Sequence, residues 1–277
     1  MESNLSEVRP VSPAAPYIGG KRNLAQRVCS LIRSTPHRTY VEPFVGMGGV
    51  FLRRDRRPQS EVINDISGDV AGFFRILQRH YQAFMDMLRW QITSRAEFER
   101  LMGQDPSTLT DLERAARFLY VQRCAFGGKV SGRAFGVSVH NPGRFDVSKL
   151  AAQLPDIHER LAGVIIERLP YAEVIERYDS PETLFYLDPP YWACETDYGR
   201  GVFARDDFDR LADQLENIRG RFILSINATE GSRRVFSRFR CDEVSTTYTI
   251  GQKAEGSRAD AELIVKSEGI DWTGPLI

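Results

Sequence analysis

Thr39-Tyr-Val-Glu42-Pro-Phe44-Val-Gly46-Met-Gly48-Gly-Val-Phe51-Leu52 is the stretch that decides the fold class of this 277-residue chain. Thr39 to Glu42 reads as a short buried strand, stopped by Pro43, which has no amide to donate. The glycine-rich turn that follows lets backbone pass close to a bound moiety. A second strand, Glu61-Val-Ile-Asn-Asp65, ends on polar residues. Apolar residues then recur at helical spacing through Phe73, Phe74, Leu77, Tyr81 and Phe84, which predicts one long helix. Strand, glycine turn, helix and strand, with an acid closing the second strand, make half of a nucleotide-binding α/β sheet. Asp65 lies nineteen residues after Gly46 and is placed to accept hydrogen bonds from ribose hydroxyls. Phe51 stands where a GxGxxG motif carries its third glycine, which weakens a dinucleotide-dependent dehydrogenase reading.

Upstream, residues to about Ala15 are rich in Ser, Pro and polar side chains and read as a flexible tail. Leu24, Val28, Leu31 and Ile32 recur at helical spacing from Lys21 onward. Downstream, Ser94 to Leu161 reads differently: helical patterns at Ala96 to Leu101 and Leu112 to Val121 flank Arg123 to Gly136, where glycines are too dense for a helix interior. Strand signals resume at Val164 to Glu167, Thr183 to Asp188, Arg221 to Ile226 and Glu262 to Val265, with a helix over Asp206 to Ile218. The expected organisation is a tail over 1–15, an α/β domain from 16–93 and 162–277, and an inserted, mainly helical and loop lobe over 94–161.

The second chemical signal is Asp188-Pro189-Pro190-Tyr191-Trp192, directly after an apolar strand. Two prolines hold the backbone extended and end the ladder, leaving a carboxylate, carbonyls and an aromatic face at the strand's carboxyl end, where open α/β sheets bind ligands. Such a pocket suits a planar base with an exocyclic amine. Asp188 and the Pro189 carbonyl would accept from the amine, and Tyr191 would stack on the ring. Trp192 would serve as a further wall or as core packing.

The DPPY tetrapeptide resembles the catalytic motif of adenine-N6 DNA methyltransferases. Val41 to Leu52 resembles the cofactor motif of the Dam-like group, Pro16-Tyr17-Ile-Gly19-Gly20-Lys21 its N-terminal motif, and Ile63-Asn-Asp65-Ile its second cofactor strand. The four motifs stand in the Dam-like order and span about Pro16 to Val265. The resemblance implies a Rossmann-like methyltransferase sheet with an inserted DNA-recognition lobe. It implies that Tyr17, Lys21, Asp65 and Asp188 bind S-adenosylmethionine, that Glu42, Phe44, Gly46 and Gly48 line that site, and that Asp188, Pro189 and Tyr191 carry the chemistry. Tyr248 to Arg258 resembles the group's closing hairpin, with Lys253 or Arg258 in reach of a phosphate or in a surface ion pair. The same pocket chemistry would also hold cytosine N4, an RNA base or an amide nitrogen, and a non-catalytic DNA-binding relative is a further alternative. Asp rather than Ser or Asn before the prolines favours adenine, and intact Asp188 and Tyr191 favour an active enzyme.

Hydrophobic residues make up 42% and charged residues 27% of the chain, so a sizeable core is expected and disorder is not. Lys plus Arg and Asp plus Glu both number 37, which removes any global charge steering toward DNA. The charges are unevenly placed. From Arg114 to Lys149 seven positive residues face one acid, Asp146, a local balance of +6. Arg123, Lys129, Arg133 and Arg144, with Phe126 to wedge or stack, are therefore the expected contacts to double-stranded DNA. No secretory pattern or apolar run of about 20 residues is present, so the expected compartment is the cytoplasm, without a membrane. Cys29, Cys124, Cys194 and Cys241 form no CxxC pair and read as buried free thiols. With the histidines equally scattered, no metal is expected, and no obligate protein partner is inferred.

Overall fold

The computed structural model describes residues 5–19, 21, 24–137, 140, 142–199, 201–246 and 260–270. Its strands are β1 (Ser6–Glu7), β2 (Thr39–Glu42), β3 (Arg56–Arg57), β4 (Ser60–Asn64), β5 (Ile165–Glu167), β6 (Thr183–Leu187), β7 (Arg221–Asn227), β8 (Arg240–Thr246) and β9 (Asp260–Lys266). Its α-helices are α1 (Ala25–Ser34), α2 (Gly68–Arg79), α3 (Tyr81–Leu88), α4 (Arg95–Met102), α5 (Asp111–Cys124), α6 (Val147–Arg160), α7 (Tyr171–Tyr178), α8 (Arg205–Glu216) and α9 (Glu230–Val235).

Seven strands form one sheet in the order β5-β4-β2-β6-β7-β9-β8, parallel from β5 to β7 and antiparallel at β9 and β8. The strand period of two sorts the apolar residues onto two faces. Tyr40, Ile63, Leu184, Tyr186 and Ile223 pack into one core with α1 to α6. Val41, Val62, Phe185, Leu187, Phe222 and Leu224 pack into the other with α7 and α8. With both faces covered, β6 is buried along its whole length, as a central parallel strand must be. Each large side chain sealed there contributes roughly 1.5–3 kcal/mol.

The chain runs from β2 outward to β4 and β5, then crosses back to place β6 on the other side of β2. The strand order therefore reverses between β2 and β6, and a crevice opens outside their carboxyl ends. Those ends carry Glu42 with its glycine turn and Asp188 with its prolines.

Several expectations are corrected. Residues 5–15 are not a flexible tail: β1 pairs with β3, and Val11, Ala14 and Ala15 are buried in the core. Pro10, Pro13 and Pro16 hold this strap extended and leave fewer amides to satisfy. Between β2 and β4 the helical element is a single 3₁₀ turn over Phe51–Arg53, where a longer helix was expected. The long helix after β4 is two helices broken at His80, whose amide closes α2 on the Ile76 carbonyl while its own carbonyl accepts from Phe84. Strand β8 carries no clear period and was not anticipated. The four cysteines are free, but only Cys124 is buried. The segment 94–161 shares one continuous core with the sheet: Phe98, Phe118, Leu119, Leu154 and Ile157 pack in the same cluster as Ile63 and Tyr186.

Candidate active site

A cleft of about 1050 Å³ opens at the switch point, walled by the N-terminal motif, the ends of β2, β4 and β6, and Tyr198, Gly201, Val202 and Phe203. Tyr17, Lys21, Glu42, Phe44, Gly46, Asp65 and Asp188 all line it. Gly46 adopts φ +50°, and a Cβ there would lie 3.0 Å from the Tyr17 ring, so both turn and close approach require glycine. Its amide donates to Asp65 Oδ2 at 3.0 Å while the Ser67 amide donates to Oδ1 at 2.9 Å. The carboxylate is thus fixed in orientation, and each oxygen retains a lone pair for a ligand. Gly48 does something else. It does not line the cleft, and a Cβ there would meet Leu52 at 2.9 Å, so it serves the turn's packing on the core.

Asp188 ends β6 with 21% of its side chain exposed, toward the cleft. Buried Lys21 meets its Oδ1 at 2.7 Å and donates to the Tyr191 hydroxyl at 2.6 Å. That hydroxyl donates in turn to Glu262 Oε1 at 2.6 Å. Tyr191 therefore differs from expectation: its hydroxyl is tied inward, Lys21 Nζ sits 4.3 Å from its ring centre, and the cleft wall beside Asp188 is Pro190. Pro189 is buried and also off the lining. Trp192 takes the packing role, against Phe208 at 5.0 Å and so tightly over Gly231 that a Cβ there would fall 2.1 Å from the indole. Asn227 clamps the motif's exit, accepting from the Trp192 amide and donating to its carbonyl.

The cleft gathers carboxylates away from water. Burial pushes Glu42 up to about 8. Burial also raises Asp65 and Asp188 to about 6, Asp188 in spite of the Lys21 ammonium beside it. Such a pocket resists further negative charge and favours a cationic ligand. One end carries an aromatic triangle of Phe44, Tyr171 and Phe203, with ring centres 5.4 to 6.1 Å apart, suited to a flat heterocycle. Elsewhere on the wall Tyr198 packs on Tyr17 at 5.9 Å and donates to the Ile18 carbonyl.

With that geometry, the chain matches the family described as D12 class N6 adenine-specific DNA methyltransferase over residues 17–250. The chain belongs to that family. It is an adenine-specific DNA methyltransferase, and its membership implies use of S-adenosylmethionine and a DNA substrate. It is 27% identical to a DNA adenine methylase of Vibrio cholerae serotype O1, over 90% of this chain and 93% of the relative. It is 24% identical to the Type II methyltransferase M1.LlaDCHI of Lactococcus lactis subsp. cremoris, over 97% and 99%. It is 22% identical to the Type II methyltransferase M.CviBI of Paramecium bursaria Chlorella virus NC1A, over 86% and 91%.

In this methyltransferase the basic insert is built differently from its charge count. Arg123 donates to the carbonyls of Ala14 and Arg144, Arg144 to that of Ala125, and Arg133 to Lys129 O and Gln122 Oε1. Arg117 is buried on the Leu101 carbonyl, and Arg114 reaches those of Pro106 and Leu109. Five arginines therefore spend donors on backbone carbonyls, Arg133 and Arg144 on the glycine-rich segment itself, Arg123 on the stretches of chain beside it, and Arg114 and Arg117 on residues 101–109. Lys129 and Phe126 are exposed. The same segment docks on the N-terminal motif: Ile18 N donates to Gly128 O, and Gln122 bridges Pro16 O and Gly128 O.

Tyr171, Tyr198, Phe203, Asn227 and Glu262 escaped sequence reasoning. Only Glu262 left a signal, an acid inside an otherwise apolar strand run. Gly20, Lys253 and Arg258 lie outside the described residues. Among the described residues no helix is long and apolar enough to cross a membrane, and no cluster of three His, Cys, Asp or Glu is arranged to hold a metal.

Proposed function

We propose that this chain transfers the methyl group of S-adenosylmethionine to N6 of an adenine flipped out of double-stranded DNA. The carrying observation is the Asp188–Lys21 pair at the switch point, inside one cleft with Asp65 and the Gly46 turn. An acid-rich, desolvated cleft fits a donor that bears a sulfonium and an ammonium. Asp65 would hold the ribose hydroxyls, and Phe44 with Tyr171 and Phe203 the purine. Tyr17, Glu42 and Gly46 would hold the amino-acid end. When bound, S-adenosylmethionine supplies an electrophilic methyl group.

The chain's residues supply the rest. The target amine is a weak nucleophile because its lone pair is delocalised into the ring. Accepting its hydrogen at Asp188 pulls nitrogen toward tetrahedral geometry and frees the lone pair. The proton lost from nitrogen passes to the Asp188 carboxylate and then to solvent, so no separate base is required. Holding both partners at about 3 Å provides most of the remaining acceleration. Flipping the base costs a few kcal/mol, offset in part by aromatic stacking in the cleft.

We assign DNA contact to the insert, residues 94–161, with Lys129 and Phe126 facing the duplex and Arg123, Arg133 and Arg144 shaping the segment that presents them. Purified protein, isotopically labelled donor and unmethylated duplex of varied sequence test the reading. Labelled N6-methyladenine is the expected product. Label in N4-methylcytosine instead, or none in DNA, sinks it.

A further inference from the structure

Glu262 is 1% exposed on β9, outside every motif, and nevertheless closes the network behind Asp188. The chain of contacts runs through one phenol. Tyr191 gives its proton to Glu262 Oε1 at 2.6 Å, which leaves its oxygen to accept from Lys21 at 2.6 Å. Lys21 spends its remaining hydrogens on Asp188 Oδ1 at 2.7 Å and the Gly19 carbonyl at 3.4 Å. Ser225 donates to the same Oδ1 at 3.4 Å, so among the described residues both contacts to Asp188 fall on one oxygen. Glu262 Oε2 also faces Lys21 Nζ at 3.7 Å.

We propose that Glu262 is a positioning residue for the methyl transfer. Through the Tyr191 hydroxyl it holds Lys21 on Oδ1 of Asp188, directs Oδ2 to the incoming amine, and keeps the network at a net negative charge toward a cationic donor. The role rests on the methyl-transfer reading above. A phenol whose donor went elsewhere would compete with Asp188 for the ammonium or leave Lys21 free to turn. Placing the acceptor on a central strand fixes that direction more firmly than a loop would.

The charged and titratable groups facing Asp188 are Lys21 from the N-terminal motif, Glu262 from β9, Glu42 from β2, Tyr186 on its own strand and Tyr198 from the following segment. Glu262 pushes the titration of Asp188 up and Lys21 pushes it down. Two substitutions therefore have opposite signs. Glu262→Gln removes the negative neighbour but keeps an acceptor for the phenol, so Asp188 should titrate lower. Tyr191→Phe severs the link from the cleft side without touching the sheet; Lys21 is drawn toward Glu262, and Asp188 should titrate higher.

Carboxyl-carbon NMR of Asp188 in the full chain, free of donor and DNA, reads both shifts. Opposite displacements of about half a unit or more are expected. An unmoved Asp188 in either variant overturns the proposal, and if Glu262→Gln does not fold, Tyr191→Phe decides alone. Single-turnover methylation of duplex DNA supplies the second reading. Each variant should lose roughly 10- to 100-fold, and the losses should not multiply in the double variant, because Glu262 acts on Asp188 through the Tyr191 hydroxyl and Lys21. Multiplying losses would overturn it. A wild-type chain that forms no N6-methyladenine defeats the methyl-transfer reading, whereas normal wild-type transfer with unmoved Asp188 titrations defeats only the role of Glu262.

Discussion

At the carboxyl ends of β2 and β6 and toward the amino end of the antiparallel β9, Glu42, Asp188 and Glu262 line one cleft with a single lysine, Lys21, and with Asp65. Across β2 from that cleft, Arg54 and Arg160 clasp Glu61, Arg160 with both nitrogens at 2.6 and 2.7 Å and Arg54 at 3.0 Å. Arg54 lies 3.7 Å over the Tyr40 ring and Arg160 4.0 Å over that of Phe51, so the cations are wrapped in aromatic surface. Tyr40 separates the two clusters, its ring under Arg54 and its hydroxyl on Glu42 Oε2 at 2.7 Å. Both are buried and ionic. The arginine cluster joins α6 to β4 with its acid fully engaged, whereas the cleft holds more negative charge than its lysine neutralises. A protein keeps that imbalance where a cationic ligand relieves it, and the raised carboxylates mark the place.

The comparison breaks most sharply at Asp188. Asp188→Ala should lower single-turnover methylation roughly a thousandfold or more while DNA binding stays measurable. Retained transfer would move the reaction away from the switch point. Next in size is Glu61→Ala, which leaves two buried guanidinium groups facing each other; a loss of about 3–5 kcal/mol in denaturant unfolding is expected. The surviving folded fraction should bind S-adenosylmethionine normally. A selective loss of binding would join the two clusters into one functional unit.

Acidity separates them more gently. Glu42 titrates near 8 and Asp65 and Asp188 near 6 when folded, all above ordinary carboxylates. Groups raised in this way add stability that is complete below about pH 4 and is lost as pH rises through 6 and then 8. The cleft's share of the ligand-free protein's Tm should therefore fall from pH 5.5 to 8.5. Glu42→Gln should remove the upper part of that fall, and S-adenosylmethionine should stabilise most at the alkaline end. An identical pH profile in wild type and Glu42→Gln would count against a charged cleft. The smallest effect is at Lys129. Lys129→Ala should weaken duplex binding a few-fold and reduce the salt dependence of log K by about 0.9, the share of one phosphate contact.

What could be read from residues alone was what local physics controls. Apolar runs stopped by Pro43 and by Pro189-Pro190 announce buried strands and their ends, and Gly46 announces a turn no other residue adopts cheaply. The +6 insert shows the limit of such reading. Counting charges located Arg123, Arg133 and Arg144 but not the direction of their guanidinium groups, which turn to the backbone carbonyls of Arg144, Lys129 and Ala125. The strap over residues 5–15 escaped for a related reason, since short Ala and Val segments between prolines show no period.

By itself the sequence determined the α/β class and six of the sheet's seven strands in chain order, and it put Asp65 and Asp188 at strand ends, because each depends on neighbours within a few residues. Only the tertiary structure decided their company. Lys21 and Tyr191 stand 170 residues apart, Tyr191 and Glu262 71 apart, and they meet because β6 inserts beside β2 and β9 beside β7. Strand order is settled by the packing of whole faces, and no local stretch of chain encodes it.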